Sequence, residues 1–174
     1  MTTASPQVGE FIEMTAAPVL AGFAALYARH YEAVFRAALR VTGSPADAED
    51  VLQTVFLRVL SRSEHHEAAR RPAAYFRRAA VNAAVDLLRR RAAHAETVYD
   101  DRAPEAAVEP PLLLKERLRR AVATLQSEDA TLFLLRHVEG LSIEELASLF
   151  QLEKNNVSVR LHRIRLRLQA EMER

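Results

Sequence analysis

Cysteine is missing from the 174 residues of this chain, which excludes disulfides, thiolate metal sites and cysteine nucleophiles. No apolar run is long enough to span a bilayer, and no basic stretch leads into an apolar segment at the N-terminus, so neither a membrane span nor a signal peptide is expected. Glycine-rich phosphate loops, strand-like alternation, internal repeats and nucleophile constellations are lacking too. The expectation is a cytoplasmic protein with no membrane association, no cofactor, no bound metal and no enzymatic activity. Net charge is the last scarcity: a formal +1 at pH 7 argues at first against a nucleic-acid partner.

The distribution of charge argues the other way. Residues 70–91 hold seven arginines against Asp86, and residues 154–174 hold six basic residues against Glu171 and Glu173. Between them, residues 96–109 carry five acids against Arg102. Local fields steer a polyanion to particular faces, so segregation matters more than the total. A composition of 49% hydrophobic and 27% charged residues is that of a globular chain, and the length suits one ordinary domain or two small ones.

Residues 1–17 are small and polar with weak periodicity and read as a loose arm. A helix is predicted from near Pro18 to Thr42, with Phe23, Leu26, Tyr27, Val34, Phe35 and Ala38 as its buried stripe and Gly43 as its stop. Ser44, Pro45 and Asp47 restart the chain as cap, first-turn proline and first-turn acid. In this second helix Val51, Leu52, Val55, Phe56, Val59 and Leu60 make the core face, and Asp47, Glu49 and Asp50 make an acidic exposed start. After a polar break that includes His65 and His66, Pro72 opens a third helix reaching about Arg91. Phe76, Ala80, Ala83 and Leu87 point to one side of it, and Tyr75, Arg78, Asn82, Asp86 and Arg89 to the other. A basic face with an aromatic and an amide is suited to neutralising phosphates, stacking on an unpaired base and bonding its edge.

Residues 93–111, with Pro104, Pro110, Pro111 and scattered acids, read as an interdomain linker. A helix over Leu112–Leu125 follows, then one capped by Ser127 that carries Leu132, Phe133, Leu135 and Val138 and stops at Gly140. In the remaining stretch, GLSIEELASLFQLEKNNVSVRLHRIRLRL, Ser142 and Glu145 have capping-box spacing. Ile143, Leu146, Ala147 and Phe150 give one apolar face, which breaks at residues 151–153 and resumes as Val157, Leu161, Ile164 and Leu168. Asn156, Arg160, Arg163 and Arg167 cluster opposite these four, at about 100° per residue. The pattern is a helix-turn-helix, whose second member can lie in a DNA major groove with N-terminal side chains at base edges and arginines on phosphates. An amphipathic hairpin with a solvated basic face is the structural alternative.

Taken together, FRAALRVTGSPADAEDVLQTVFLRVL at residues 35–60, PAAYFRRAAVNAAVDLLRRR at 72–91 and LFLLRHVEGLSIEELASLFQLEKNNVSVRLHRIRLRL at 132–168 resemble bacterial RNA polymerase sigma factors of the sigma-70 family, extracytoplasmic-function group. The resemblance implies an all-α fold of two small helical domains: a three-helix region 2 over residues 18–92, an acidic linker over 93–111, and a helix-turn-helix region 4 over 112–174. It implies core RNA polymerase (beta-prime and beta subunits) and promoter DNA as partners, with an anti-sigma factor as regulator. Asp47, Asp50, Gln53, Thr54 and Phe56 would dock on the polymerase. Tyr75, Arg78, Asn82, Asp86 and Arg89 would engage the -10 promoter element. Asn156, Ser158, His162 and Arg163 would read the -35 element, with Arg160 on phosphate. Three positions depart from the family pattern: Thr54 stands where Glu is usual, Gln151 where the turn commonly has Gly, and Asn155-Asn156 where Gly-Thr is usual. Gln151 is expected to carry a little backbone strain, and Asn155 to be harmless because Asn tolerates left-handed backbone.

Two other function classes compete. One is a helix-turn-helix regulator that binds operators independently of polymerase, with its N-terminal domain binding a ligand or dimerising. The other is a metal enzyme using His30, His65, His66, Glu67 and His94, which have no recognisable ligand spacing. Core-polymerase binding separates the first from a sigma factor, and a metal-binding assay tests the second.

Overall fold

The computed structural model describes residues 8–61, 71–96 and 111–173. Among these residues the chain forms seven helices: α1 (Val8–Thr42), α2 (Pro45–Leu60), α3 (Pro72–Glu96), α4 (Pro111–Thr124), α5 (Ser127–His137), α6 (Ile143–Phe150) and α7 (Lys154–Met172). The fold class is all-α, as expected.

Helix α1 begins at Val8, ten residues before the start expected at Pro18, so the segment read as a loose arm is helical from residue 8. Gly43 ends it at φ +72°, donating its amide to Leu39 O at 2.8 Å. Ser44 caps α2 by accepting from the Asp47 amide, and Pro45 fills the first turn, where its missing N–H costs nothing. The core of α2 is Val51, Val55, Phe56 and Val59. Leu60, assigned to that face from its spacing, is 37% exposed at the last residue of the helix. Phe56, at the centre of an aromatic group, lies 4.7 Å from Tyr27 and 5.1 Å from Phe76, centroid to centroid.

Helices α1, α2 and α3 pack on one another as one unit, and α7 packs against α4, α5 and α6 as a second. The second unit owes its shape to local signals. Ser142 and Glu145 form a reciprocal capping box, Ser142 N donating to Glu145 Oε2 at 2.8 Å and Glu145 N to Ser142 Oγ at 3.1 Å. At the other end of α6, Gln151 takes the left-handed conformation, φ 54° and ψ 42°, and turns the chain into α7. The strain expected at Gln151 is present, because a side chain with a Cβ occupies a conformation that glycine adopts freely. Ser127 is not a cap: Gln126 holds that position without a side-chain bond.

The two units are not separated. Helix α3 packs against α1 and α2 on one side and against α4 and α5 on the other, and a single hydrophobic cluster runs through both units. Ala79, Ala80, Val81, Ala83, Ala84 and Val85 are all buried, a pattern that a helix facing only one neighbour cannot produce. Ion pairs and hydrogen bonds reinforce the seam. Arg40 on α1 makes a two-point contact with Glu139, Nε to Oε1 at 2.9 Å and Nη2 to Oε2 at 2.8 Å. Arg119 Nε on α4 donates to Val41 O at 3.0 Å, its guanidinium lying where a Cβ at residue 43 would be.

Candidate nucleic-acid interface

The second unit covers much of the polar side of α3, the face whose residues suit nucleic acid. The Thr131 hydroxyl on α5 donates to Asn82 Oδ1 at 2.6 Å, and the Ser127 hydroxyl lies 3.5 Å from Asp86 Oδ1. Arg78 donates to Leu149 O at 3.3 Å and lies over the Phe150 ring, 5.0 Å from its centroid. Tyr75 packs edge-on against Phe76 at 5.2 Å, and Asp86 is also 4.0 Å from Arg58. Of the five expected -10 residues, Arg89 is exposed and the other four are partly buried. The covering was legible in one feature: the run AAVNAAV at residues 79–85 is apolar on both sides of the helix, interrupted only by Asn82.

Beside this contact a cleft of about 910 Å³ remains open between the units. One wall is cationic, from Arg58, Arg71, Arg77 and Arg78, with Tyr75 and Asn82; the opposite wall carries Glu144, Glu145 and Ser148. The Glu145 carboxyl is held below its usual pKa by hydrogen bonds from the Ser142 amide and hydroxyl, and to a smaller extent by the charge of Arg77. Arg58, Arg71 and Arg77 were not singled out from the sequence, although the first shares the cleft only because α2 lies beside α3.

Helix α7 matches its expected division of faces. Val157, Leu161, Ile164 and Leu168 are buried, while Asn156, Ser158, His162 and Arg163 are exposed. Ser158 Oγ donates back to Lys154 O at 3.1 Å, and His162 Nδ1 lies 3.3 Å from Arg165 Nη2. Arg160 departs from expectation. Its Nε donates to Asp129 Oδ1 at 2.5 Å and its Nη2 to Glu128 Oε2 at 2.7 Å, while Arg167 lies 3.6 Å from the other Asp129 oxygen. Two first-turn acids of α5, favoured there by the helix dipole, therefore hold Arg160 inward, and it is not a free phosphate ligand.

The acidic start of α2 also divides. Asp47 is 1% exposed and forms an ion pair with Arg91 on α3, so it is not on the outer face with Glu49 and Asp50. A first-turn carboxylate that points back towards the cationic end of α3 finds its partner within the fold. Phe56, at 3% exposed, belongs to the core and is not offered to a partner. Asp50 and Gln53 are exposed, Thr54 is half-buried with its hydroxyl donating to Asp50 O at 2.8 Å, and Leu57 is 63% exposed. These four share one face at helical spacing, with Leu57 as the exposed apolar side chain among them.

His65, His66 and Glu67 lie outside the described residues. His30 is buried and stacked on Phe76 at 4.7 Å between centroids. Burial, and then the charge of Arg29, lower its pKa from the usual imidazole value.

Comparison with known proteins bears on both units. Residues 26–94 match the family model for Sigma-70 region 2, and residues 115–168 match that for Sigma-70, region 4. An RNA polymerase sigma-E factor from Streptomyces avermitilis is 31% identical over 147 residues, covering 82% of this chain and 80% of the relative. The RNA polymerase sigma factor CarQ from Myxococcus xanthus is 32% identical over 145 residues, covering 81% and 83% respectively. Among solved structures, CnrH in complex with the cytosolic domain of CnrY has a TM-score of 0.51 at 22% identity, covering 92% of this chain and 96% of that one, a likeness of fold.

Proposed function

This chain belongs to the sigma-70 family of RNA polymerase sigma factors, in its extracytoplasmic-function group, and we propose that its two units divide promoter recognition between them. It is a transcription factor that binds core RNA polymerase and promoter DNA. We assign residues 18–92 to core and -10 binding and residues 112–174 to -35 binding, with 93–111 as the linker. Acting as a specificity subunit, it needs no catalytic group of its own and works in the cytoplasm with the polymerase. An anti-sigma factor is a fitting regulator, as membership of this family implies.

The observation that carries the DNA assignment is the division of α7: four buried aliphatics on one side and Asn156, Ser158, His162 and Arg163 exposed on the other. Four exposed polar side chains spread over the first half of a helix that is packed from behind are what base-edge readout in a major groove requires. For the -10 element the supporting features are Tyr75 as a stacking surface, Asn82 and Asp86 as edge-bonding groups and the arginines of the cleft as phosphate ligands. Asp50, Gln53, Thr54 and Leu57 form the proposed polymerase-docking face.

The test is transcription in vitro with purified core polymerase on a promoter library. Initiation from a defined subset of promoters, dependent on this protein, is the expected result. Sequence-specific DNA binding without any association with core polymerase would overturn the assignment in favour of an operator-binding regulator.

A further inference from the structure

We propose that Val159 is a base-reading residue of α7, packing its methyl groups on the C5-methyl of a thymine in the -35 element. The inference deepens the assignment of α7 to that element and rests on it. Val157, Leu161, Ile164 and Leu168 are buried and define the inward direction of the helix. At about 100° per residue, Ser158 is turned from that direction by about 90°, Asn156 by about 110°, and His162 and Arg163 by about 130°. Val159 is turned by about 170°. The polar side chains therefore flank the outward side, and the position that a groove floor meets first carries an aliphatic one. Val159 is 42% exposed and takes no part in the hydrophobic cluster behind it.

A lone exposed valine is ordinary on a protein surface; its place is what gives this one a role. It lies in the N-terminal half of a helix that starts at Lys154, the half that reaches base edges when such a helix lies in a major groove. The hydroxyl beside it is engaged on its own helix, Ser158 donating back to Lys154 O at 3.1 Å. Val159 has no donor or acceptor. Pressed on a purine N7, a guanine O6 or a cytosine amino group, it would remove water without replacing the hydrogen bond, which is costly. Thymine alone presents a methyl group on the major-groove edge. Branching at Cβ holds the valine in one rotamer within a helix, so its methyls are oriented before DNA arrives. Leu166, 51% exposed, lies on the same side about 10 Å further along the axis, too far to touch the same base.

The test uses holoenzyme assembled from core polymerase and the full chain, with a duplex promoter selected from the library. Each thymine of its -35 element, on either strand, is replaced singly by deoxyuridine, which keeps the base pairing and removes only the methyl. At one position the affinity of the wild-type holoenzyme should fall about fourfold, the factor equivalent to roughly 0.8 kcal/mol for one buried carbon. Val159→Ser should bind the two DNAs alike, whereas Val159→Thr, which keeps one methyl, should still prefer thymine. Leu166→Ser should keep the full wild-type preference. Valine and serine differ little in helix propensity, so Val159→Ser should leave Tm unchanged. A -35 element with no methyl-sensitive thymine would overturn the inference, and so would a loss on deoxyuridine that is the same in wild type and Val159→Ser; either result leaves α7 on DNA. An affinity indifferent to scrambling the whole -35 element would instead overturn the assignment of α7 to it.

Discussion

Arg160 on the last helix and Asp129 in the first turn of α5 are joined at 2.5 Å, with Glu128 on the other arm of the same guanidinium at 2.7 Å. An arginine held in this way braces α7 against α5 and aims the residues around it. Arg160→Ala should therefore lower stability by about 1.5–3 kcal/mol, the range for hydrogen bonds to charged groups, seen as a lower Tm. Arg163→Ala should leave Tm unchanged, cost roughly 1–3 kcal/mol at the -35 element and relax its sequence preference. Equal effects of the two substitutions on Tm would show that Arg160 has no bracing role.

Asn82→Ala should change the preference among -10 variants in open-complex formation and leave core-polymerase affinity intact. Thr131 keeps a second acceptor, Ser127 O at 2.9 Å, so the substitution does not strand its hydroxyl. An unchanged ranking across a panel of -10 sequences would remove Asn82 from base recognition.

On the docking face, Leu57→Asp should weaken core-polymerase binding by more than about 1 kcal/mol, as truncating or charging an anchor residue does, with helicity retained because the side chain is 63% exposed. Thr54→Glu should strengthen binding and Thr54→Ala should not. Equal affinity for both Thr54 variants and wild type would dismiss a charge deficit at that position. Phosphorylation of Thr54 would add about -1.5 to -2 charges at neutral pH and would be measured by the same assay.

Gln151→Gly should stabilise the protein by about 1 kcal/mol, the cost of holding a Cβ in left-handed backbone. Denaturant unfolding reads this directly, and a midpoint that falls would mean that the Gln151 side chain contributes more than its backbone costs.

Acid should destabilise the chain through His30. Its pKa is lower folded than unfolded, so the unfolded chain binds the proton more readily, and stability is full above the unfolded value near 6.5. That stability is lost as pH falls below this value and through the folded one. His30→Phe, which keeps the stack on Phe76, should flatten the decline in Tm between pH 7 and pH 5. An unchanged slope would assign the decline to other groups.

Local signals in the sequence led to correct local structure. The Ser142 and Glu145 spacing, the Ser44-Pro45 start and the aliphatic repeat of α7 each contain within a few residues everything that determines the outcome. What was not legible depended on partners far along the chain. Asp47 was read as an exposed acid because nothing near it reveals that Arg91 comes to meet it. Arg160 was read as a phosphate ligand because Glu128 and Asp129 lie about thirty residues away. The double-sided burial of α3 was half legible: the run of alanines and valines at 79–85 was visible, but its second neighbour lies beyond a linker whose composition suggested separation. The docking and promoter contacts involve other molecules, so their assignment rests on family resemblance and on which side chains the fold leaves outside.

Gly43 ends α1 with a left-handed turn, and the space beside its missing Cβ holds the Arg119 guanidinium from the other unit. The position therefore answers to two requirements, a dihedral one and a volumetric one. Asparagine, which tolerates the backbone angle, would still push Arg119 aside from the Val41 carbonyl. Because a guanidinium at the end of a flexible side chain yields readily, the damage would fall on the coupling between the units more than on the helix that the glycine terminates. Tolerance to substitution at residue 43 is thus a gauge of how far the two halves of the molecule depend on each other, separable in principle from the stability of either.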